Sequence, residues 1–278
     1  MNNDTKYILQ RCHYHINSVN YKVGLRWLFY RLAQEGIYRK DFIDKNGKLV
    51  SDYKNKFTGL FSRVRKNFKY GFHPDIIADE TRTIKWRGLG RKNERDGIDN
   101  LGFKLDKFTN QDYFVLICFE ALAMASQFEY YTKHIPLIPF KGDASIPFKW
   151  EIAKTIEYGV NTYKKPAIVI YFGDRDDKGE KIFNSAFNDI TEWANVDFEV
   201  IHGGLTLEDA IRFKLPNKMF DKPNNYQWEA LSDEQAREII LNTISKYVNF
   251  DNQRLKEQEE NEILTRWKTT LTEAYNGN

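Results

Sequence analysis

Pro166-Ala167-Ile168-Val169-Ile170-Tyr171-Phe172-Gly173-Asp174-Arg175-Asp176-Asp177-Lys178-Gly179 begins as an unbroken apolar run and ends in a cluster of acids. A run of that length without alternating polar residues suits a strand buried on both faces, which is how strands of parallel sheets are placed. Extended side chains alternate in direction, so Asp174 and Asp176 point one way and Arg175 the other, and Gly179 lets the chain turn into a helix. Two carboxylates held so close at a strand end attract a hard divalent cation, which binds through oxygen and keeps several waters.

Working outward, short apolar runs alternate with amphipathic ones. Tyr113 to Phe119, Ile135 to Phe140, Pro166 to Phe172 and Val196 to Ile201 are predicted strands. Ala121 to Tyr131, Pro147 to Tyr158 and Lys178 to Trp193 are predicted helices, and Thr206-Leu207-Glu208-Asp209 starts another. This alternation predicts an α/β unit with a mainly parallel four-stranded sheet flanked by helices. Ligands of open parallel sheets lie beyond the carboxyl ends of the strands. Glu120, Asp174 and Asp176 all fall at such ends.

Upstream, Val23 to Gly36 is a predicted helix with Leu25, Leu28, Phe29 and Leu32 on one face; Arg26 and Tyr30 stand one turn apart beside that stripe. Tyr53 to Lys69 is a second, with Phe57, Leu60, Phe61, Val64 and Phe68 inward and Lys56, Arg63, Lys66 and Lys69 outward. A basic face of this kind suits phosphates, and equally a solvated surface. Trp86 to Lys104, with Arg87, Arg91, Lys92 and Arg95, reads as a wing or loop leading into a linker. Near the end, Leu264, Trp267, Leu271 and Ala274 share a face of a C-terminal helix that can pack on the body or on a second subunit.

Composition excludes several classes. Among 278 residues, 42 Lys and Arg against 39 Asp and Glu leave a formal charge of +3, too small to define a partner by itself. The two cysteines, Cys12 and Cys118, cannot build a zinc ribbon, and their surroundings suit reduced thiols. Cys12-His13-Tyr14-His15 lacks the separated second pair of a structural zinc site. His202 follows a strand and is read as a hydrogen-bonded loop histidine, and Asp143 ranks below the other acids. The longest apolar run falls far short of a bilayer, so a cytoplasmic protein with no membrane partner is expected. No Gly-x-x-x-x-Gly-Lys-Ser/Thr loop occurs.

A strand ending in Glu120, then a strand ending in Asp174-x-Asp176-x-x-Gly179, resembles the Toprim domain of topoisomerases, primases and related nucleases. Leu25-Arg26-Trp27-Leu28-Phe29-Tyr30 resembles the tyrosine-bearing helix of the topoisomerase VI (type IIB) A subunit and the meiotic double-strand-break proteins. Asp79-Glu80-Thr81-Arg82, Lys141-Gly142-Asp143-Ala144-Ser145, Gly204-Leu205-Thr206 and Trp228-Glu229-Ala230-Leu231 are similar to segments of the small bacterial and phage relatives of that subunit.

The resemblance implies an N-terminal winged-helix (helix-turn-helix) domain over 1–105, a Toprim domain over 106–215 and a helical extension over 216–278. It implies Tyr30 as nucleophile toward a DNA phosphodiester with Arg26 beside it, and Glu120, Asp174 and Asp176 holding Mg2+ or Mn2+. Lys56, Arg63, Lys66, Lys69 and Lys141 would contact DNA. A homodimer, in which one protomer's tyrosine meets its partner's metal site, a separate ATPase or regulatory subunit, and a bacterial or phage-encoded, nucleoid-associated protein are further implications. Ala121 stands where the small relatives often have lysine. A metal-dependent nuclease using activated water, and an inactive DNA-binding scaffold, are the alternative readings.

Overall fold

The computed structural model describes residues 3–66, 69–73, 76–77, 94–121, 124–140, 144–217 and 224–277, apart from the side chains of Lys66, Pro147 and Lys178. Among these, the chain runs α1 (Asn3–Asn17), α2 (Leu25–Gln34), a hairpin of β1 (Phe42–Ile43) and β2 (Leu49–Val50), a π-helical turn (Tyr53–Phe57) running into α3 (Thr58–Lys66), and α4 (Glu94–Asp99). Then follow β3 (Phe114–Phe119), α5 (Ala125–Thr132), β4 (Leu137–Pro139), α6 (Ile146–Tyr163), β5 (Ala167–Phe172), α7 (Asp177–Trp193), β6 (Phe198–His202), α8 (Leu207–Arg212), α9 (Asp233–Ile244) and α10 (Phe250–Asn276).

The protein is a mixed α/β fold around a four-stranded sheet in the order β4-β3-β5-β6, every neighbouring pair parallel. β3 and β5 lie at its centre, paired from Phe114–Ala167 to Phe119–Phe172, and all twelve of their residues are buried. The twofold period of a strand splits these residues between two faces. Val115, Ile117, Phe119, Ile168, Ile170 and Phe172 join the core that runs through α2, α3, α5 and α9. Phe114, Leu116, Cys118, Ala167, Val169 and Tyr171 join the core under α6 and α7. The first core is continuous from Leu9 and Cys12 through Phe57 and Phe61 to Ile117, Phe172, Trp228 and Ile240, so α2 packs against the same face of the sheet as α9.

Local chemistry sets several helix ends. Asp176 caps α7 by accepting from Gly179 N at 2.7 Å, and Ser232 with Gln235 and Thr206 with Asp209 form reciprocal capping boxes at α9 and α8. Gly159 in α6 is required by packing, because a Cβ there would stand 2.0 Å from the Phe114 ring.

Three differences from the sequence reading have physical causes. The predicted helix from Tyr53 to Lys69 starts as a widened turn and its α-helical part ends at Lys66. Residues 94–99, expected in a loop, form α4: Glu94 and Asp96 occupy its first turn, where the helix dipole favours acids, and Lys268 Nζ of α10 donates to Asp99 O at 2.8 Å. The hairpin seen among the described residues precedes α3, at 42–50, whereas the wing was expected within 86–104; residues 86–93, Asp79-Glu80-Thr81-Arg82, Lys141-Gly142-Asp143 and Asn67-Phe68 lie outside the described residues. Cys12-His13-Tyr14-His15 lies in α1, with Cys12 fully buried and His13 hydrogen-bonded to Tyr70 O. Trp267 of α10 packs on Phe103 with ring centroids 4.7 Å apart. No described helix is long and apolar enough to cross a membrane.

Candidate functional site

β3 and β5 end side by side, which places Glu120 against the turn from Gly173 to Gly179. Glu120 N donates to Phe172 O at 3.0 Å, extending the ladder by one residue, and Glu120 Oε2 accepts from Asp174 N at 3.2 Å. Asp174 Oδ1 accepts from Trp228 N at 2.9 Å, and Asp176 Oδ1 from Gly179 N. Each of the three carboxylates therefore has one oxygen on a backbone N–H. A Cβ on Gly179 would stand 2.7 Å from Asp174 O, 3.3 Å from Glu120 Oε2 and 3.5 Å from Asp176 Oδ1, so the turn draws both acids close around a position only glycine can take.

A fourth polar atom lies near this turn. Among the described residues the buried Tyr171 hydroxyl has no hydrogen-bond partner; it lies 3.1 Å from where a Cβ on Gly173 would stand, while Glu120 Oε2 is 3.2 Å from the same point. Burial, followed by Glu120 and Asp174, pushes the Tyr171 phenol well above its ordinary value, so it stays a donor at neutral pH. Among the described residues no group of three His, Cys, Asp or Glu side chains closes on a common point. Mg2+ characteristically takes only one or two carboxylates and completes its shell with water and phosphate oxygens. Glu120 and Asp176, both close to Gly179, are the two carboxylates that would supply such ligands.

The tyrosine helix reaches this turn through the segment from Tyr226 to Leu231. On one side Tyr226 and Arg175 exchange two backbone hydrogen bonds of 2.9 Å, and Trp228 N holds Asp174. On the other, Arg31 Nη2 of α2 donates to Glu229 O at 3.1 Å and Ala230 O at 2.7 Å, and Gln34 donates to Ala230 O at 2.5 Å. The Glu229 carboxylate, 5% exposed, sits 3.5 Å from Arg26 Nε. The Trp228 indole donates to Gln127 Oε1 at 2.9 Å; Gln127 in turn donates to Tyr21 and to Asp233, which also accepts from Tyr131 at 2.5 Å. This strap fixes α2 and the acidic turn as neighbours within one chain.

Tyr30 is 3% exposed, and Arg26 donates to its hydroxyl. Burial raises the Tyr30 pKa well above its ordinary value; Glu229 raises it further, Arg26 opposes both, and Asp174 is close enough to add to the rise. Burial also acts to lower the Arg26 pKa, but Glu229, Tyr30 and Asp174 outweigh it. The guanidinium is thus held charged between two carboxylates and the phenol.

Arg26 and Tyr30 are brought near Asp174, and Glu120 and Asp176 lie beside Asp174, while Lys56, Arg63 and Lys69 do not line the cleft above Tyr30. Lys56 Nζ pairs with Asp52 at 3.0 Å, and Arg63 and Lys69 are exposed; the Lys66 side chain and Lys141 lie outside the described residues. Lining that cleft instead are Arg26, Lys40, Asp41, Lys54 and Gln227 beside Tyr30. His202 ends β6 and borders a separate cleft with Arg175, Glu180 and Thr206. Sequence reasoning missed Glu229 as a site residue. Its only signal was the Trp228-Glu229-Ala230-Leu231 segment, whose spacing says nothing of what it touches.

Comparison with models of protein families, with curated proteins and with solved structures finds no match. Fold and geometry define an α/β protein with a cluster of acids at the carboxyl edge of a parallel sheet and a buried tyrosine–arginine pair beside it.

Proposed function

We propose that this chain is a Mg2+-dependent DNA-cleaving protein of the topoisomerase VI A-subunit kind, in which Tyr30 attacks a DNA phosphodiester. The observation that supports the reading is the convergence of Arg26, Tyr30, Glu229 and Asp174 in one chain. The phenol oxygen forms the new bond to phosphorus, the bond to the 3′ oxygen breaks, and the DNA 5′ end is left on Tyr30. Arg26, donating to that oxygen, offsets its charge as the proton departs to solvent, and a second proton from solvent neutralises the departing 3′ oxygen. Glu120 and Asp176, with Asp174 beside them, would hold Mg2+; when bound, the ion supplies charge compensation for the phosphate oxygens. Any ATP-driven strand passage belongs to a separate subunit.

The strap sets Tyr30 near Asp174 of its own chain, which supports a site that joins nucleophile and acids within one copy. Supercoiled plasmid incubated with the protein and Mg2+, then denatured with detergent, is expected to yield protein-linked DNA ends that are lost in Tyr30→Phe. An adduct that survives Tyr30→Phe removes the nucleophile assignment.

One observation favours a second reading. Tyr30 is almost fully buried and its phenol is hard to ionise, which suits a structural tyrosine beside a metal-dependent nuclease site that activates water. That reading gives nicked DNA free of protein, abolished by Asp174→Ala and retained by Tyr30→Phe.

A further inference from the structure

Tyr30 lines two adjoining clefts. One, of about 400 Å³, is bounded by Arg26, Phe29, Lys40, Asp41, Tyr53 and Lys54, among others. The other, of about 430 Å³, is bounded by Ala33, Gln34, Lys40, Lys214 and Pro216. Lys40 belongs to both, its ammonium 5.1 Å from the centre of the Tyr30 ring. Among the described residues their ionisable lining is thus Arg26, Lys40, Lys54 and Lys214 with the carboxylate Asp41, apart from the phenols of Tyr30 and Tyr53. The larger groove of about 580 Å³ along β4 and α6 is different: among the described residues its lining is mostly apolar, with Glu151 the one ionisable side chain.

The four cations come from separate parts of the chain. Arg26 lies in α2, Lys40 between α2 and β1, Lys54 in the turn before α3, and Lys214 just after α8 in a left-handed backbone conformation with φ of 52°. Lys54 and Lys214 are exposed and lie in different clefts, with Lys40 and Tyr30 common to both. A polyanion with regularly spaced charges matches this arrangement, since contacts on both sides of the tyrosine require charge on both sides of the reacting phosphate.

We propose that the two clefts form one channel in which the exposed Lys54 and Lys214 hold the phosphodiester backbone of a DNA strand across Tyr30, while the Lys40 ammonium, buried between the clefts, adds positive charge beneath it. This rests on the DNA-cleaving reading and names the residues that seat its substrate. They differ from Lys56, Arg63 and Lys69, of which Lys56 pairs with Asp52.

The test separates seating from chemistry. Binding of a fluorescein-labelled 20-mer, as single strand and as duplex, is followed by anisotropy over a series of salt concentrations with EDTA present and in a Tyr30→Phe background, so no cleavage occurs. Each lost phosphate contact lowers the slope of log affinity against log salt by about 0.9 for duplex and about 0.7 for single strand. Lys54→Gln/Lys214→Gln is therefore expected to lower the slope by about 1.8 on duplex or about 1.4 on single strand, whichever form binds, with circular dichroism and melting temperature unchanged. Lys56→Gln/Arg63→Gln is expected to leave it within error. A wild-type slope in the cleft variant, or no binding by the parent protein, overturns the proposal. The detergent-trapped adduct is scored separately in the Tyr30-containing protein. A lowered slope without adduct removes the nucleophile and keeps the channel, whereas adduct with an unchanged slope removes the channel and keeps the nucleophile.

Discussion

Glu229→Gln removes one negative charge from the strap and changes little else in shape, so it isolates what the Arg26–Glu229 pair contributes. The nearest charged atoms are 3.5 Å apart, with Glu229 5% and Arg26 50% exposed on their side chains. In a medium of effective dielectric about 20, unit charges at that distance attract by about 5 kcal/mol. Stripping water from Glu229 offsets much of this, and the water that reaches Arg26 screens more, leaving a net coupling of about 1–2 kcal/mol. The assay is a double-mutant cycle of Glu229→Gln and Arg26→Gln, each followed by denaturant unfolding. The double variant is expected to be less destabilised than the sum of the single ones by that coupling. Effects that add to within about 0.3–0.5 kcal/mol refute the pairing. The same substitution lowers the Tyr30 pKa, since Glu229 raises it, yet leaves it above the ordinary phenol value because burial is the larger cause. A 3-fluorotyrosine placed at position 30 and titrated by 19F NMR reads that change directly.

Other consequences follow from single contacts. Asp176→Ala loses the cap of α7 and is expected to cost about 1 kcal/mol in unfolding free energy; a loss too small to measure shows that the Gly179 contact stabilises nothing. Gly159→Ala gains helix propensity of about 1 kcal/mol but drives a methyl into the Phe114 ring, so net destabilisation is expected, and a raised melting temperature contradicts the tight α6–β3 packing. Cys12 and Cys118 are both buried, and burial pushes the Cys12 thiol up to about 12 and Cys118 higher still. Both are expected to resist a thiol reagent in the native protein at pH 8 and to react together on unfolding; rapid reaction of either contradicts the burial.

The central strands were legible because their apolar composition and their position, Phe114 to Phe119 against Ala167 to Phe172, admit little else than a buried parallel pair. Asp174 and Asp176 were legible as acids at a strand end, because the twofold period fixes where they emerge. Their individual tasks were not: Asp176 spends an oxygen on Gly179 N and Asp174 one on Trp228 N, and neither partner is announced by spacing. Helix α4 was misread as loop because its stability depends on Lys268 and on the Phe103–Trp267 contact, well over a hundred residues away in the chain. Glu229 was hidden for the same reason. A lone Glu after Trp looks like surface until Arg31 and Gln34 hold its own carbonyl and that of Ala230. The arrangement of tyrosine and acids across two protomers was an implication of the resemblance; spacing gave no hint of the continuous core and the strap that set Tyr30 near Asp174 within one chain.

The most direct test of that account is adduct formation by an equimolar mixture of the Tyr30→Phe and Asp174→Ala proteins, refolded together so that any oligomer contains both. With nucleophile and acids drawn from the same chain, the wild-type protein gives an adduct on Tyr30 and the mixture gives none. Adduct formed by the mixture, when neither variant forms it alone, contradicts a site built within one chain.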